Sequence, residues 1–358
     1  MNRLLNTIAL LATAGLVGCT LSAEDDPQWG SGSLYGTETD AECPAGVMCI
    51  DSLPFFESNT TEGSGAVFDV YSCDDGINES GPEMVYRVDV ATEGLLVASL
   101  AGLGEGVDVD VHILDELNAQ TCIDRGHWDA ATLAKPGRYW IVVDSWSDGE
   151  TVFDGSYQLT IALTTADDHQ DHGLHPTVLT AGLRAFSRGW QLGDTEQLEY
   201  GIIDYGMPST EHRFFVLDLR AGDLLRAELV SHGEGSQDPN DAKMATSLSN
   251  VTDSHKSSMG LARGAETYYG NHGYSMRLDG LEPGYNDNDR GRTIVVHNAD
   301  YATQSYINSH GYLGRSWGCP AISPSISESL INSLKNGGLI LKYFDDESWL
   351  ANSDYVGP

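Results

Sequence analysis

Basic side chains are scarce in this chain. Its 358 residues hold 19 Lys and Arg against 53 Asp and Glu, a formal net charge of −34. Phosphate-backbone binding needs clustered Lys and Arg, so nucleic acid is not an expected partner. The deficit is uneven: residues 1–165 carry 27 acidic and 5 basic side chains, a balance of −22 that leaves −12 for the rest. Such a surface keeps a protein soluble through its own repulsion. Long apolar runs are lacking too. The run at 4–17 is broken by Asn6, Thr7, Thr13 and Gly15, and it falls short of the ~20 residues a spanning helix needs. Regular metal-ligand spacing is also missing. The densest group of ligand types, Asp167, Asp168, His169, Asp171, His172 and His175, falls where a linker is expected, so neither a metal nor a cofactor is expected there.

What is present starts at the N-terminus. Arg3 precedes the apolar run, the layout of a secretory signal. The run closes on Leu16-Val17-Gly18-Cys19, which resembles the bacterial lipobox, and that resemblance implies diacylglycerol on Cys19. Several acyl chains bury enough methylenes for stable membrane anchoring. The protein is therefore expected in the cell envelope, lipid-anchored on the outer membrane and facing the periplasm. Residues 20–42, rich in Ser, Gly, Asp, Glu and Thr, read as a flexible tether.

Six cysteines occur: Cys19, Cys43, Cys49, Cys73, Cys122 and Cys319. An oxidising compartment lets the four central ones form two disulfides. Three pairings are open to them; a local Cys43–Cys49 loop with a long Cys73–Cys122 closure is the favoured one. Cys319 is then the odd thiol and requires a function.

Between 43 and 165, short apolar or alternating runs at 84–90, 95–100, 107–114, 139–143 and 157–163 are separated by Gly, Asp and Asn, the pattern of an antiparallel β-sandwich. Glu83-Met-Val-Tyr86, Val107-Asp-Val-Asp-Val-His-Ile-Leu114, Lys135-Pro-Gly-Arg-Tyr-Trp-Ile-Val-Val-Asp144 and Gly155-Ser-Tyr157 together resemble the bacterial pre-peptidase C-terminal domain, a small jelly-roll-like sandwich. Asp108 and Asp110 alternate along one run and read as solvent-facing strand acids, with Ca²⁺ ligation the less favoured alternative. Residues 166–176 read as a hinge. The sandwich is expected to be self-contained and dispensable for chemistry.

Helical spacing of Val178, Leu179, Leu183, Phe186 and Trp190 opens a second domain at 177–358. Strand-like runs follow at 198–205, 213–218, 224–230, 293–296 and 339–344, and a late helix at 325–335 stops at Gly337-Gly338. The chemistry-bearing stretch is Arg292-Thr-Ile-Val-Val-His-Asn-Ala-Asp-Tyr301, then Gly311-Tyr-Leu-Gly-Arg-Ser-Trp-Gly-Cys-Pro320. An apolar strand delivers His297 at its end, and a glycine-flanked turn delivers Cys319.

This pattern resembles the catalytic domain of murein L,D-transpeptidases of the YkuD type, in the branch with Ser-x-Gly-Cys-Pro. Ordered blocks extend the resemblance over about 200–344: Ile203-Asp-Tyr-Gly-Met-Pro-Ser-Thr210, Val230-Ser-His-Gly233, Ser247-Leu-Ser-Asn250, Lys256-Ser-Ser-Met-Gly260, and Tyr269 through Glu282. The implied fold is mainly β with peripheral helices.

The implied activity is acyl transfer on peptidoglycan stem peptides, through a thioester on Cys319 formed at the carbonyl between the third and fourth stem residues. His297 would take the thiol proton and depress the thiol pKa. Asn298, at a position often Gly, would orient the imidazole through its carbonyl. Backbone N–H groups of Gly318 and Cys319, with Trp317, would form an oxyanion hole. Ser316 would brace the turn. Trp317 replaces a histidine of better-studied members, leaving the acid–base work to His297. Arg277 and Arg315 are candidates for substrate carboxylates. His272 and His232 are either cleft-lining or structural, and His310 is a rival base. A hydrolase (L,D-endopeptidase or carboxypeptidase) on the same site and a non-catalytic murein-binding module are the alternatives.

Overall fold

Runs of β-branched and aromatic residues, cut by Gly, Asp and Asn, favour strands over helices. In the computed structural model, which describes residues 43–357, they become nine strands: β1 (Val47–Ile50), β2 (Phe55–Thr60), β3 (Glu83–Val90), β4 (Gly94–Ala101), β5 (Val109–Leu114), β6 (Cys122–Gly126), β7 (Asp129–Ala134), β8 (Gly137–Ser145) and β9 (Ser156–Thr165). A five-stranded sheet in the order β1-β3-β8-β5-β6 faces a four-stranded one, β2-β9-β4-β7. Tyr86, Val88, Leu96, Ile113, Ile141 and Ile161 fill the space between them. All five runs expected as strands are strands; β1, β2, β6 and β7 are additional. The signal peptide, the lipidation at Cys19 and the tether lie outside the described residues. Among the described residues, no helix is long and apolar enough to cross a membrane.

Both favoured disulfides are present, Cys43–Cys49 and Cys73–Cys122, and Cys319 is free. The reading of Asp110 as a solvent-facing acid is corrected. Its side chain is buried and paired with Arg125, and it also meets His127 at 3.2 Å. β5 is covered on both faces, so alternation along it carries no inside–outside information.

Helix α1 (Pro176–Gln191) follows, with proline in its first turn and the His175 ring accepting from the Thr177 N–H at 3.2 Å. The strands β10 (Glu199–Asp204), β11 (Phe214–Asp218), β12 (Asp223–Glu228), β13 (Gly260–Gly270), β14 (Gly273–Gly280) and β15 (Val295–Asn298) come next. After α2 (Gln304–His310) come β16 (Ala321–Ile322), α3 (Ser327–Leu334), β17 (Leu339–Tyr343) and α4 (Glu347–Asn352). The strands form one eight-stranded mixed sheet, β12-β11-β10-β17-β13-β14-β15-β16. Its faces alternate with period two: Tyr200 and Ile202 turn toward α1, Ile203 toward α3. Gly201 leaves room for α3, since a Cβ there would stand 3.1 Å from Leu334 Cδ1.

The segment expected as a hinge contributes a core residue. Leu174 is fully buried, and one core cluster joins it to Leu95, Val97 and Ala131 of the sandwich and to Leu179, Leu183 and Phe186 of α1. Burying each of the Leu, Val and Phe side chains contributes about 2 kcal/mol. The Trp190 indole N–H donates to Asp124 at 2.7 Å, and Arg184 meets Glu93 at 3.4 Å. α1 therefore serves both halves.

Candidate functional site

β15 lies between β14 and the two-residue β16, with His297 opposite Ser275 on one side and Ala321 on the other. This pairing places Cys319 two residues before the strand partner of His297. His297 is 3% exposed. A carbonyl can only accept, so the 2.8 Å contact from His297 Nδ1 to the Asn298 carbonyl fixes the proton on Nδ1 and leaves Nε2 with its lone pair. Burial lowers the imidazole pKa, and the neighbouring His272 adds to that. The ring is thus neutral near pH 7. The Asn298 side chain does not crowd it, because its amide donates to the His272 carbonyl at 2.7 Å. This contact ties down the β13–β14 hairpin tip and sets the His272 ring 4.3 Å from that of His297.

The turn carrying Cys319 is held from several sides. Ser316 Oγ donates to the Cys319 carbonyl at 2.6 Å and accepts from the Gly318 N–H at 3.1 Å. Ser257 Oγ accepts from the Gly233 N–H at 3.0 Å and donates to the Gly318 carbonyl at 3.1 Å. Gly318 has φ +117°, and a Cβ there would stand 2.6 Å from the Lys256 carbonyl, so only glycine fits. Of the N–H groups expected to hold an oxyanion, that of Gly318 is already donated to Ser316. Those of Trp317 and Cys319 have no hydrogen-bond acceptor among the described residues.

Cys319 is half-buried, and its sulfur sits 3.6 Å from the Thr293 carbonyl. Burial raises the thiol pKa, with Asp289 adding to the rise; the Val295 N–H, Arg292 and Lys342 oppose it. The expected depression of the thiol by His297 is therefore corrected: burial outweighs nearby cations, and the thiol contacts a carbonyl rather than the imidazole. Behind it lies a buried polar group absent from the sequence expectations. Lys342 Nζ meets Asp289 and Ser258, Ser258 Oγ donates to Asp289 at 2.6 Å, and Arg292 reaches the Ser249 carbonyl at 2.6 Å. Lys342 follows the strand period and gives no polar signal of its own. Ser257 and Ser258 lie inside a block already singled out, but nothing marks them as internal.

The remaining candidates divide. His232 is buried, and its Nδ1 accepts from the fully buried Arg213 at 2.9 Å. His310 ends α2, stacks 3.9 Å from Tyr306 and contacts that residue's carbonyl at 3.0 Å. Arg277 pairs with Glu266 at 3.2 Å and lies 4.6 Å over Tyr268, so it already holds a carboxylate. Arg315 adjoins the turn, bonded to Gln237 with its guanidinium 5.8 Å over Tyr312. Trp317, 70% exposed, stacks on His255, a residue the sequence reading left aside. Among the described residues, one group combines ligand types closely enough for a metal, Cys73, His112 and Cys122, and its two sulfurs are tied in a disulfide.

Residues 170–343 match the family model of the L,D-transpeptidase catalytic domain. This part of the chain is similar to L,D-transpeptidase catalytic domains. The match begins inside the segment expected as a linker. An L,D-transpeptidase from Mycobacterium smegmatis is similar at 14% identity over 73% of this chain and 97% of its own, with a TM-score of 0.26. An L,D-transpeptidase from Stackebrandtia nassauensis is 12% identical over 46% of this chain and 67% of its own, also at 0.26. The pre-peptidase C-terminal domain of a Bacillus anthracis collagenase is 20% identical over 34% of this chain and 98% of its own, at 0.24. No curated protein matches this chain.

Proposed function

We propose that the chain is an exported peptidoglycan L,D-transpeptidase that works through a thioester on Cys319. The observation that carries this reading is the His297 Nδ1–Asn298 carbonyl bond, which leaves Nε2 unprotonated on a strand whose partner, β16, directly follows the Ser316–Cys319 turn. The Cys319 proton passes to His297 Nε2 as the sulfur attacks the carbonyl carbon between the third and fourth stem residues. The Cys319 and Trp317 N–H groups stabilise the oxyanion, each such donor being worth about 3–4 kcal/mol. Collapse breaks the amide bond, and His297 returns the proton to the departing amine. An acceptor amine then attacks the thioester and restores the thiol. Ser316, with Gly318 behind it, holds the turn; Trp317, Arg315 and His272 line the approach. Arg277 can bind substrate only by leaving Glu266. The chemistry belongs to 177–358, the sandwich at 43–165 buttresses it through 166–176, and lipid on Cys19 holds the enzyme in the envelope.

Incubation of the soluble protein, residues 20–358, with purified muropeptides tests this by product mass. Crosslinked dimers that vanish with Cys319→Ala support it. Trimmed stems without dimers would replace transfer by hydrolysis, and unchanged muropeptides would overturn catalysis on murein.

A further inference from the structure

The Trp317 side chain has a support that the acyl-transfer chemistry does not need. One face of the indole lies against the His255 ring, with centroids 4.6 Å apart and planes within 2°. His255 is itself fixed, its Nδ1 2.8 Å from Glu234 Oε1. The backbone beneath is stitched together: Glu234 N–H donates to the Ser316 carbonyl at 2.8 Å and Gly235 N–H to the His255 carbonyl at 3.0 Å. Gly233 packs so tightly here that a Cβ would stand 2.3 Å from the His255 carbonyl and 2.9 Å from Gly318 Cα. The indole is thus preset, with its second face open to solvent at 70% exposure. Tyr269, 80% exposed, is a second open ring, on the hairpin whose tip places His272 against His297.

Rigid exposed aromatic faces of this kind need an occupant. A protein partner would require a contiguous apolar patch, whereas the segments carrying Trp317 and its His255 support are polar: Arg315 bonds to Gln237, His255 meets Glu234, and Ser254 and Lys256 flank His255 in the chain. An ammonium group could use the electron-rich indole face, but the same two segments carry cations of their own, Arg315 two residues before Trp317 and Lys256 next to His255. A pyranose fits both features. Its C–H bonds present a weakly positive, apolar face to the ring, and its hydroxyl and acetamido edges meet a polar rim. We infer that Trp317, preset by His255 and Glu234, is a saccharide subsite that holds the amino-sugar portion of the substrate beside Cys319. This rests on the peptidoglycan reading above.

The test uses the Cys319→Ala protein and a peptide-free N-acetylglucosamine–N-acetylmuramic acid disaccharide, with binding followed by calorimetry. Saturable binding that weakens at least tenfold in both Trp317→Ala and Trp317→Leu, and largely returns in Trp317→Tyr, is expected. The leucine variant keeps apolar bulk without a ring, which separates stacking from a filled volume. Absence of saturable binding, binding indifferent to both substitutions, or binding of free stem tetrapeptide alone would overturn the subsite. Disaccharide binding without any change to muropeptides by the intact enzyme would leave the subsite standing and remove the proposed chemistry. Dimer formation without disaccharide binding would do the reverse.

Discussion

Burial holds both members of the Cys319–His297 pair in their neutral forms, with the thiol pKa raised and the imidazole pKa lowered. In the proposed chemistry, proton transfer then accompanies attack, instead of preceding it as a stored ion pair. Acylation should rise with pH as His297 loses its proton, with a midpoint below the ordinary histidine value, and then stay level to pH 9. A rate that keeps climbing toward pH 9 would mean that free thiolate is the reacting species. His297→Ala should abolish acylation, while His310→Ala should leave most of it, because His310 is committed to Tyr306 on its own helix. Acyl-enzyme detection by intact mass separates the two variants. Ser316→Ala removes two hydrogen bonds from the turn. We expect a loss of about 1–3 kcal/mol in stability and acylation slowed roughly 10- to 100-fold by misplacement of the sulfur, with Ser316→Thr restoring much of the rate.

Among the elements, α1 decides how separable the halves are. Its apolar stripe announces a helix that starts a domain, yet that stripe is shared with Leu95, Val97 and Ala131 across the boundary. A fragment starting at Thr177 also loses the His175 cap. It should melt several degrees below the full chain and self-associate, as read by calorimetry and light scattering; an unchanged melting temperature would show that the sandwich lends no support. Within the sandwich, Cys73–Cys122 closes a far longer loop than Cys43–Cys49, with separations of 49 and 6 residues. By loop entropy, losing the first should cost about 4 kcal/mol and the second about 2.

For the whole molecule, the charge of −34 and the buried acids act in the same direction. Burial pushes Glu83 up to about 7, although the Val67 N–H bonded to its carboxylate opposes the shift. An unfolded chain releases that proton near its ordinary value of 4.5. The folded state thus binds more protons between those values, and stability falls as pH rises through the window, levelling above it. The contribution is up to roughly 3 kcal/mol. The melting temperature should be higher at pH 5 than at pH 8, and the gap should shrink in Glu83→Gln. An unchanged gap would assign the whole effect to surface repulsion.

The alternation of Tyr157, Leu159 and Ile161, the helical spacing from Val178 to Trp190 and the Ser316-Trp-Gly-Cys-Pro320 turn are local signals. A chain read in order reveals them because strand, helix and tight turn each depend on neighbours a few residues apart. The odd cysteine was legible for the same reason, since pairing the other four needs only a count. The contacts that position the chemistry have no such signature. Ser257 grips Gly318 across 61 residues, Glu234 fixes His255 across 21, and Lys342 meets Asp289 across 53. Asp110 lies on a strand whose two covered faces hide any pattern. The sequence by itself determined the strands, the leading helix and the odd thiol. Tertiary structure decided the surroundings that raise that thiol's pKa, the partners of each histidine and the joining of two domains by one helix, because those depend on which distant side chains exclude water around them.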